Sequence, residues 1–165
     1  MIFAALTFTI ASATFKPNGT MPMSTVYARC GGQNHSPELH WQGAPEGTRS
    51  FALIVHDPDA PRPGGWYHWV FYNMPASLHS LPEGAAASAQ AKKHTGWDSG
   101  TTSFGETSYG GPCPPPGKPH HYHFTLYAID VPSLDGAHLT GPQLERAMKG
   151  HILAQARVTG LYGRR

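Results

Sequence analysis

The sequence predicts a mainly β protein with few short helices, and three observations support this. First, 19 glycines and 16 prolines in 165 residues argue against long helices. Second, the apolar residues come in short runs bounded by glycine or proline. Third, several segments alternate apolar and polar residues with the period of two that is typical of strands. A chain of this length predicts a single domain over residues 1–165.

The first predicted strand lies near the start of the chain, where Leu6, Phe8 and Ile10 alternate with polar or small residues. No basic residue precedes Lys16, and no long apolar core follows, so this segment is interpreted as structure and not as a secretory signal. No stretch approaches the roughly twenty apolar residues of a membrane span. The expected compartment is the cytoplasm.

The two cysteines are far apart in the sequence. Cys30 and Cys113 lack the close spacing of a zinc knuckle or a redox motif. This favours two buried thiols and leaves a disulfide between them as the alternative.

The central strands are predicted from three segments. Phe51–Val55 is a continuous apolar run that fits a strand buried on both faces. Trp66–Asn73 follows, and strict alternation would put His68 on the same face as Trp66, Val70 and Tyr72. His120–Asp130 alternates again and begins with polar residues.

The remaining segments are predicted from turn and capping residues. Pro75–Pro119 loses periodicity and is predicted to form long, ordered surface loops. A capping box at Thr140 predicts a helix from about Gly141 to Gln155, which Gly150 weakens but need not end. Alternation from Ala156 to Tyr162 predicts a short final strand.

The stretch from His56 to Trp69 has the densest group of ionisable residues. Asp57 and Asp59 flank Pro58, whose fixed φ and missing N–H suit a strand end or a rigid turn. One interpretation is a turn in which Asp57 accepts nearby backbone N–H groups. A second rigid segment, the proline-rich run that leads into His120–His123, favours a pocket lined by both segments.

Composition and motifs argue against several function classes. The 12 lysines and arginines are scattered, so nucleic acid is not an expected partner. Ser103 lacks the glycine of a nucleophile elbow, and Pro119 stands where a P-loop needs serine or threonine. His121 and His123 share a strand face, as metal ligands would, but hydrogen-bonded surface imidazoles are the favoured interpretation.

A small polar ligand fits the predicted strand ends best. His68, His120 and Tyr122 can donate hydrogen bonds to an anion. Nearby carboxylates can fix imidazole tautomers or receive an ammonium group, and they would repel a purely anionic ligand. A zwitterion, such as a phosphorylated headgroup, satisfies both conditions.

These residues resemble the phosphatidylethanolamine-binding protein family, and more closely its bacterial Raf-kinase-inhibitor-like branch. The resemblance rests on Asp57-Pro58-Asp59-Ala60-Pro61, Trp66-Tyr67-His68-Trp69, Tyr109-Gly110-Gly111 with Pro114-Pro115-Pro116-Gly117, and His120-His121-Tyr122. It implies an antiparallel β architecture with a large central sheet and a smaller packed sheet. It also implies a pocket for phosphate or phosphoethanolamine, without metal or cofactor, lined by Asp57, Asp59, Pro61, Trp66, His68, Pro114, His120 and Tyr122.

Two departures limit what the resemblance implies. His121 stands where the family usually has arginine, and the chain stops soon after its last predicted strand, where the animal branch has a further helix. Kinase inhibition is therefore not expected to transfer. The leading hypothesis is a binding protein rather than an enzyme. The rivals are a metal-dependent or hydrolytic enzyme and a protein-interaction module with a partner protein. The oligomeric state stays open and includes a homodimer.

Overall fold

The computed structural model describes residues 7–87 and 97–165 and contains two antiparallel sheets. The small sheet has the order β1-β2-β5, and the large one has the order β6-β4-β3-β7-β8. The strands are β1 (Thr9–Ala11), β2 (Leu39–Gln42), β3 (Ser50–Asp57), β4 (Trp66–Pro75), β5 (Ser80–Leu81), β6 (Asp98–Ser99), β7 (His120–Ile129) and β8 (Ile152–Tyr162). Helix α1 spans Gly141–Met148, and 3-10 turns span Met23–Thr25 and Ala28–Cys30. The predicted mainly β architecture is confirmed; Leu6 lies outside the described residues.

The large sheet is buried on both faces along β3. Phe51, Leu53 and Val55 pack towards the small sheet, in a core that includes Trp41. The opposite face holds Ala52 and Ile54, which are covered by α1 and by the loop after β7. This two-sided burial explains the unbroken apolar run of β3, because a strand covered on both faces has no polar side.

A β-bulge interrupts the predicted alternation of β4 at His68. Val55 pairs with Trp69 and His56 pairs with Tyr67, so the partner strand skips His68. Val70 and Tyr72 pack in the core beneath α1, whereas the ring of His68 meets Tyr122 on the opposite face, with the ring centroids 5.1 Å apart. The single face predicted for His68, Val70 and Tyr72 is therefore wrong, because a bulge re-aims a side chain.

Helix α1 is shorter than predicted. It ends at Met148, and the chain turns through Gly150, which adopts a left-handed φ of 86°. Gly150 therefore terminates the helix, as glycine often does at this position. Ile152, predicted to lie on the helix, instead begins β8 opposite Ile129.

The two cysteines form a disulfide. Cys30 and Cys113 have Cα atoms 5.7 Å apart and are joined through their sulfur atoms. Both residues are partly exposed. The favoured interpretation as two buried thiols is therefore wrong, and the alternative is what the structure contains.

Where it is described, the segment between β4 and β7 contains the short strands β5 and β6 and helical residues 85–87, and it is otherwise largely irregular. Part of the predicted loop, residues 88–96, lies outside the described residues. Over residues 7–87 and 97–165, no helix combines the length and the apolar character that crossing a membrane requires.

Candidate functional site

A cavity of about 390 Å³ opens where β3 ends and where β4 and β7 begin. Antiparallel pairing brings these three ends together, and the size is that of a small-molecule site. The predicted site residues that line it are Asp57, Pro61, Trp66, His68, Pro114, His120 and Tyr122. Asp59 does not line it and instead borders a neighbouring cavity beside Lys118.

Asp57 is the structural centre of the site. Its Oδ1 accepts the backbone N–H groups of Asp59 and Ala60, at 2.8 and 3.1 Å, and its Oδ2 lies 2.8 Å from Nδ1 of His120. The residue is only 3% exposed. The turn and pocket interpretations of Asp57 are therefore compatible, because one oxygen holds the turn and the other holds an imidazole.

The contact with Asp57 fixes the orientation of His120. A carboxylate accepts hydrogen bonds, so Nδ1 of His120 carries the hydrogen of this contact. Nε2 is the ring nitrogen that remains for a ligand in the cavity. It donates a hydrogen bond to an anion when the imidazole is doubly protonated.

Asp59 holds a different histidine. Its Oδ2 accepts the backbone N–H of His121 at 2.8 Å and lies 2.7 Å from the ring Nδ1. This hydrogen bond to His121 lowers the pKa of Asp59. Because both side chains are more than 40% exposed, the contribution of the pair to stability is small. Asp59 and His121 therefore form a surface pair outside the cavity.

His68 is buried against the loop that closes the cavity. Its Nδ1 lies 2.6 Å from the carbonyl oxygen of Gly110, and the N–H of Gly110 donates to the carbonyl of His68 at 2.8 Å. Burial lowers the pKa of His68 to about 4. The imidazole is therefore neutral at pH 7, with its hydrogen on Nδ1 and a lone pair on Nε2.

Close packing explains the Gly110-Gly111 pair. A Cβ at Gly110 would lie 2.4 Å from the ring of Phe104, and one at Gly111 would lie 1.9 Å from the carbonyl oxygen of Thr25. Only glycine lets the loop approach the ring and the turn this closely.

The buried neutral state of His68 predicts a loss of stability in acid. The unfolded chain takes up a proton on this imidazole near its ordinary pKa of about 6.5, which the folded chain resists until pH falls to about 4. Stability from this group is thus complete above about pH 6.5, and we expect about 2 kcal/mol to be lost at pH 5. Denaturant titrations at pH 8 and pH 5 measure the loss. We expect the loss of stability between pH 8 and pH 5 to be about 2 kcal/mol smaller in a His68→Asn variant. Equal losses in the variant and the unmodified chain would contradict the prediction.

Two buried donors of the cavity wall have no hydrogen-bond partner within the described part of the chain. They are the hydroxyl of Tyr122 and Nε1 of Trp66. Burial raises the pKa of Tyr122 well above its ordinary value, so the hydroxyl keeps its hydrogen. Unpartnered buried donors destabilise a protein by about 1–3 kcal/mol each, which a ligand acceptor can offset.

Aromatic rings form the outer wall of the cavity. The rings of Tyr27 and Phe104 stack with their centroids 4.5 Å apart, and those of Phe104 and Trp66 pack edge to face at 5.2 Å. Arg29 also lines the cavity, and Cζ of Arg62 lies 5.0 Å from the centroid of Trp66. The mouth thus combines apolar surface with positive charge.

Sequence reasoning missed several lining residues, namely Tyr27, Arg29, Ala60, Phe104, Cys113 and Pro115. Ala60, Cys113 and Pro115 are next to predicted site residues in the sequence, so including sequence neighbours in the prediction would have found them. Tyr27 and Phe104 are far from both motifs in the sequence. Phe104 could have been suspected because it is a bulky aromatic residue in an otherwise polar loop. Tyr27 has no comparable sequence feature.

Among the described residues, no three histidine, cysteine, aspartate or glutamate side chains are arranged to hold a metal ion. His121 and His123 stack with their ring centroids 6.2 Å apart. Nδ1 of His123 contacts the hydroxyl of Thr159 at 2.8 Å, and that of His121 contacts Asp59. Both imidazoles are thus engaged as hydrogen-bonded surface groups.

Comparisons with known proteins cover nearly the whole chain. The family model of phosphatidylethanolamine-binding protein matches residues 11–163. UPF0098 protein YbcL of Escherichia coli is 38% identical over 162 residues, covering 96% of this chain and 88% of that protein. UPF0098 protein YbhB of the same bacterium is 40% identical over 134 residues, covering 79% of this chain and 83% of that protein.

Solved structures agree with these matches. The crystal structure of E. coli YbcL, described as a new member of the mammalian PEBP family, superposes with a TM-score of 0.91 at 37% identity, covering 96% of this chain and 99% of that one. The homologue CT736 from Chlamydia trachomatis gives a TM-score of 0.82 at 35% identity, covering 96% and 98%. The similarity includes both segments that form the cavity.

Proposed function

The chain belongs to the phosphatidylethanolamine-binding protein family, and we propose that it is a non-enzymatic binding protein whose cavity takes phosphate or a phosphorylated headgroup such as phosphoethanolamine. The observation that supports this most directly is the convergence of unpartnered donors in one cavity. Tyr122 and Trp66 each offer a buried hydrogen, and His120 offers Nε2 from a ring that Asp57 holds in place. Residues with several donors around one small cavity suit an oxyanion.

The surroundings of these donors fit a small charged headgroup. Arg29 at the cavity lining attracts an anion. Both carboxylate oxygens of Asp57 already accept hydrogen bonds within the protein, so Asp57 is not the expected partner of a ligand ammonium group. The face of an aromatic ring in the cavity wall can receive a cation instead. An anion with an attached ammonium group therefore meets a complementary surface.

A hydrolytic enzyme is the main rival, because the Asp57–His120 pair has the geometry of a general base and its orienting carboxylate. A Ser-His or Cys-His type of hydrolase also needs a serine, threonine or cysteine nucleophile beside the imidazole. No serine or threonine is among the described lining residues, and Cys113 is held in the disulfide. The composition of the cavity therefore favours ligand binding over hydrolysis. Regulation of a partner protein stays a prediction.

The cytoplasmic location expected from the N-terminal segment also stays a prediction. The Cys30–Cys113 disulfide counts against it. Disulfides persist mainly in oxidising compartments and are rare where thiols are kept reduced.

The proposed function predicts that removing one donor weakens binding. We expect Tyr122→Phe to lower the affinity for phosphate and phosphoethanolamine at least tenfold, because a hydrogen bond to a charged group contributes about 1.5–3 kcal/mol. The same change removes a buried hydroxyl without a partner, so the free energy of unfolding stays unchanged or rises. Isothermal titration calorimetry and denaturant unfolding measure the two quantities. His120→Ala is expected to weaken binding similarly.

The matched control is His40→Ala. His40 lies on β2 of the small sheet, and its side chain is 54% exposed. This variant is expected to bind phosphate like the unmodified chain. If Tyr122→Phe and His120→Ala also bind unchanged, phosphate does not occupy this cavity and the proposal is wrong.

A further inference from the structure

His68 can offer a ligand in the cavity a hydrogen-bond acceptor. Its Nδ1 hydrogen is directed to the carbonyl of Gly110, at 2.6 Å. A carbonyl can only accept, so this contact fixes the tautomer of the neutral ring and leaves the lone pair on Nε2. His68 lines the cavity and is 4% exposed, so a ligand is the natural partner for that lone pair.

The residues that carry the donors and the acceptor line the same cavity. The rings of His68 and Tyr122 pack edge to face, with the centroids 5.1 Å apart. Tyr122 and Trp66 supply hydrogens to a ligand, whereas Nε2 of His68 requires one from it. An oxyanion without a hydrogen would bring its own lone pair towards that of His68, which is repulsive and leaves both groups unsatisfied.

We propose that His68 makes the site selective for oxyanions that still carry a proton. This inference rests on the proposed anion-binding function and deepens it. Hydrogen phosphate species and the monoanion of a phosphate monoester carry such a proton, since the second pKa of a monoester is about 6. Sulfate, sulfonates and phosphodiesters carry no such proton at a pH of about 6. The preferred headgroup is accordingly a free monoester, and an intact phospholipid, which is a diester, is disfavoured.

A pair of isosteric anions tests the selectivity on the unmodified chain. Methylphosphonate and methanesulfonate have the same shape, and at about pH 6 both are predominantly monoanions, but only the phosphonate has an acidic hydrogen. We expect calorimetry at this pH to give at least a tenfold preference for methylphosphonate, because an unpaired buried acceptor destabilises a complex by about 1–3 kcal/mol. Working at one pH keeps the protonation of the protein the same for both anions.

A second pair distinguishes the two sources of the headgroup. Phosphoethanolamine is a monoester, and glycerophosphoethanolamine is the diester found in the lipid. We expect the monoester to bind at least tenfold more tightly at the same pH. A diester that binds as well as the monoester would overturn the inference and favour an intact lipid.

The role of His68 itself is tested by His68→Asn. Asparagine can still donate an amide hydrogen towards Gly110, but it lacks the Nε2 acceptor. We expect the phosphonate-to-sulfonate affinity ratio to fall to about one in this variant, while methanesulfonate binds no more weakly than before. A ratio that persists in the variant assigns the selectivity to another group and overturns the inference.

The outcomes separate this inference from the function on which it rests. If the unmodified chain binds neither methylphosphonate nor phosphate, the proposed anion site is wrong. If it binds both isosteres equally and Tyr122→Phe weakens both, the anion site stands and the selectivity is wrong. The isostere ratio of the unmodified chain decides this even if His68→Asn does not fold.

Discussion

Removal of the Cys30–Cys113 disulfide is expected to lower the free energy of unfolding by about 4 kcal/mol. The bond joins residues separated by 83 positions, so it restricts a large part of the unfolded chain. In the chain-entropy account, loops of this size give about 4–5 kcal/mol, and native disulfides typically contribute about 2–5 kcal/mol. Denaturant unfolding of the oxidised chain and of a Cys30→Ser, Cys113→Ser double variant measures the difference.

Removal of the disulfide is expected to affect the shape of the cavity less than it affects the free energy of unfolding. Cys113 precedes Pro114, whose carbonyl accepts a hydrogen bond from Nε of Arg164 at 2.6 Å. Tyr27 also donates its backbone N–H to the carbonyl of Pro112 at 3.1 Å. These bonds hold the loop on both sides of the disulfide. We therefore expect phosphate affinity to change less than about threefold under conditions where the double variant is folded.

Two results would contradict this account. A stability loss below about 1 kcal/mol would mean that the unfolded chain is already restricted without the bond. A loss of phosphate affinity beyond tenfold, in a variant that is folded by circular dichroism, would mean that the disulfide itself shapes the cavity.

The strands could be predicted because their burial imposes a local pattern. The Phe51–Val55 part of β3 is apolar since both faces are covered, and β7 alternates from its first residues. The helix end could not be predicted from its apolar spacing alone. Ile152 continues the spacing of Leu144 and Met148, but its pairing with Ile129 in the sheet competes with the helix and wins.

The site could be predicted as far as its motifs adjoin strand ends. Asp57 and His120 are far apart in the chain, yet they meet because β3 ends and β7 begins at the same edge of the sheet. The aim of His68 could not be predicted in this way. It depends on a bulge, which leaves no mark in the alternating pattern of the sequence.

The other lining residues depend on tertiary packing. Tyr27 and Phe104 stack across the mouth of the cavity, although neither belongs to a recognisable motif. The pairing of the two cysteines is likewise a property of the folded chain, because spacing alone leaves free thiols and a disulfide both open.

Replacement of Asp57 by asparagine is expected to weaken phosphate binding about 100-fold. Asparagine keeps an oxygen for the turn N–H groups of Asp59 and Ala60, but its amide group would then face Nδ1 of His120. Nδ1 must become an acceptor, so the hydrogen moves to Nε2 and the ring is neutral. The bond from His120 to the anion then comes from a neutral ring and lacks the charge assistance that a doubly protonated ring gives. About 2–3 kcal/mol of binding free energy corresponds to the expected loss.

The matched control is the same substitution two residues away. Asp59 contacts His121 rather than His120, and its side chain is 42% exposed, so Asp59→Asn is expected to change phosphate affinity less than about threefold. Calorimetry on both variants measures the contrast, and circular dichroism verifies that each is folded. Equal losses in the two variants would mean that the net negative charge of the segment matters and the orientation of His120 does not. Unchanged affinity in Asp57→Asn would mean that His120 binds the anion without its carboxylate, which contradicts the role inferred from their 2.8 Å contact.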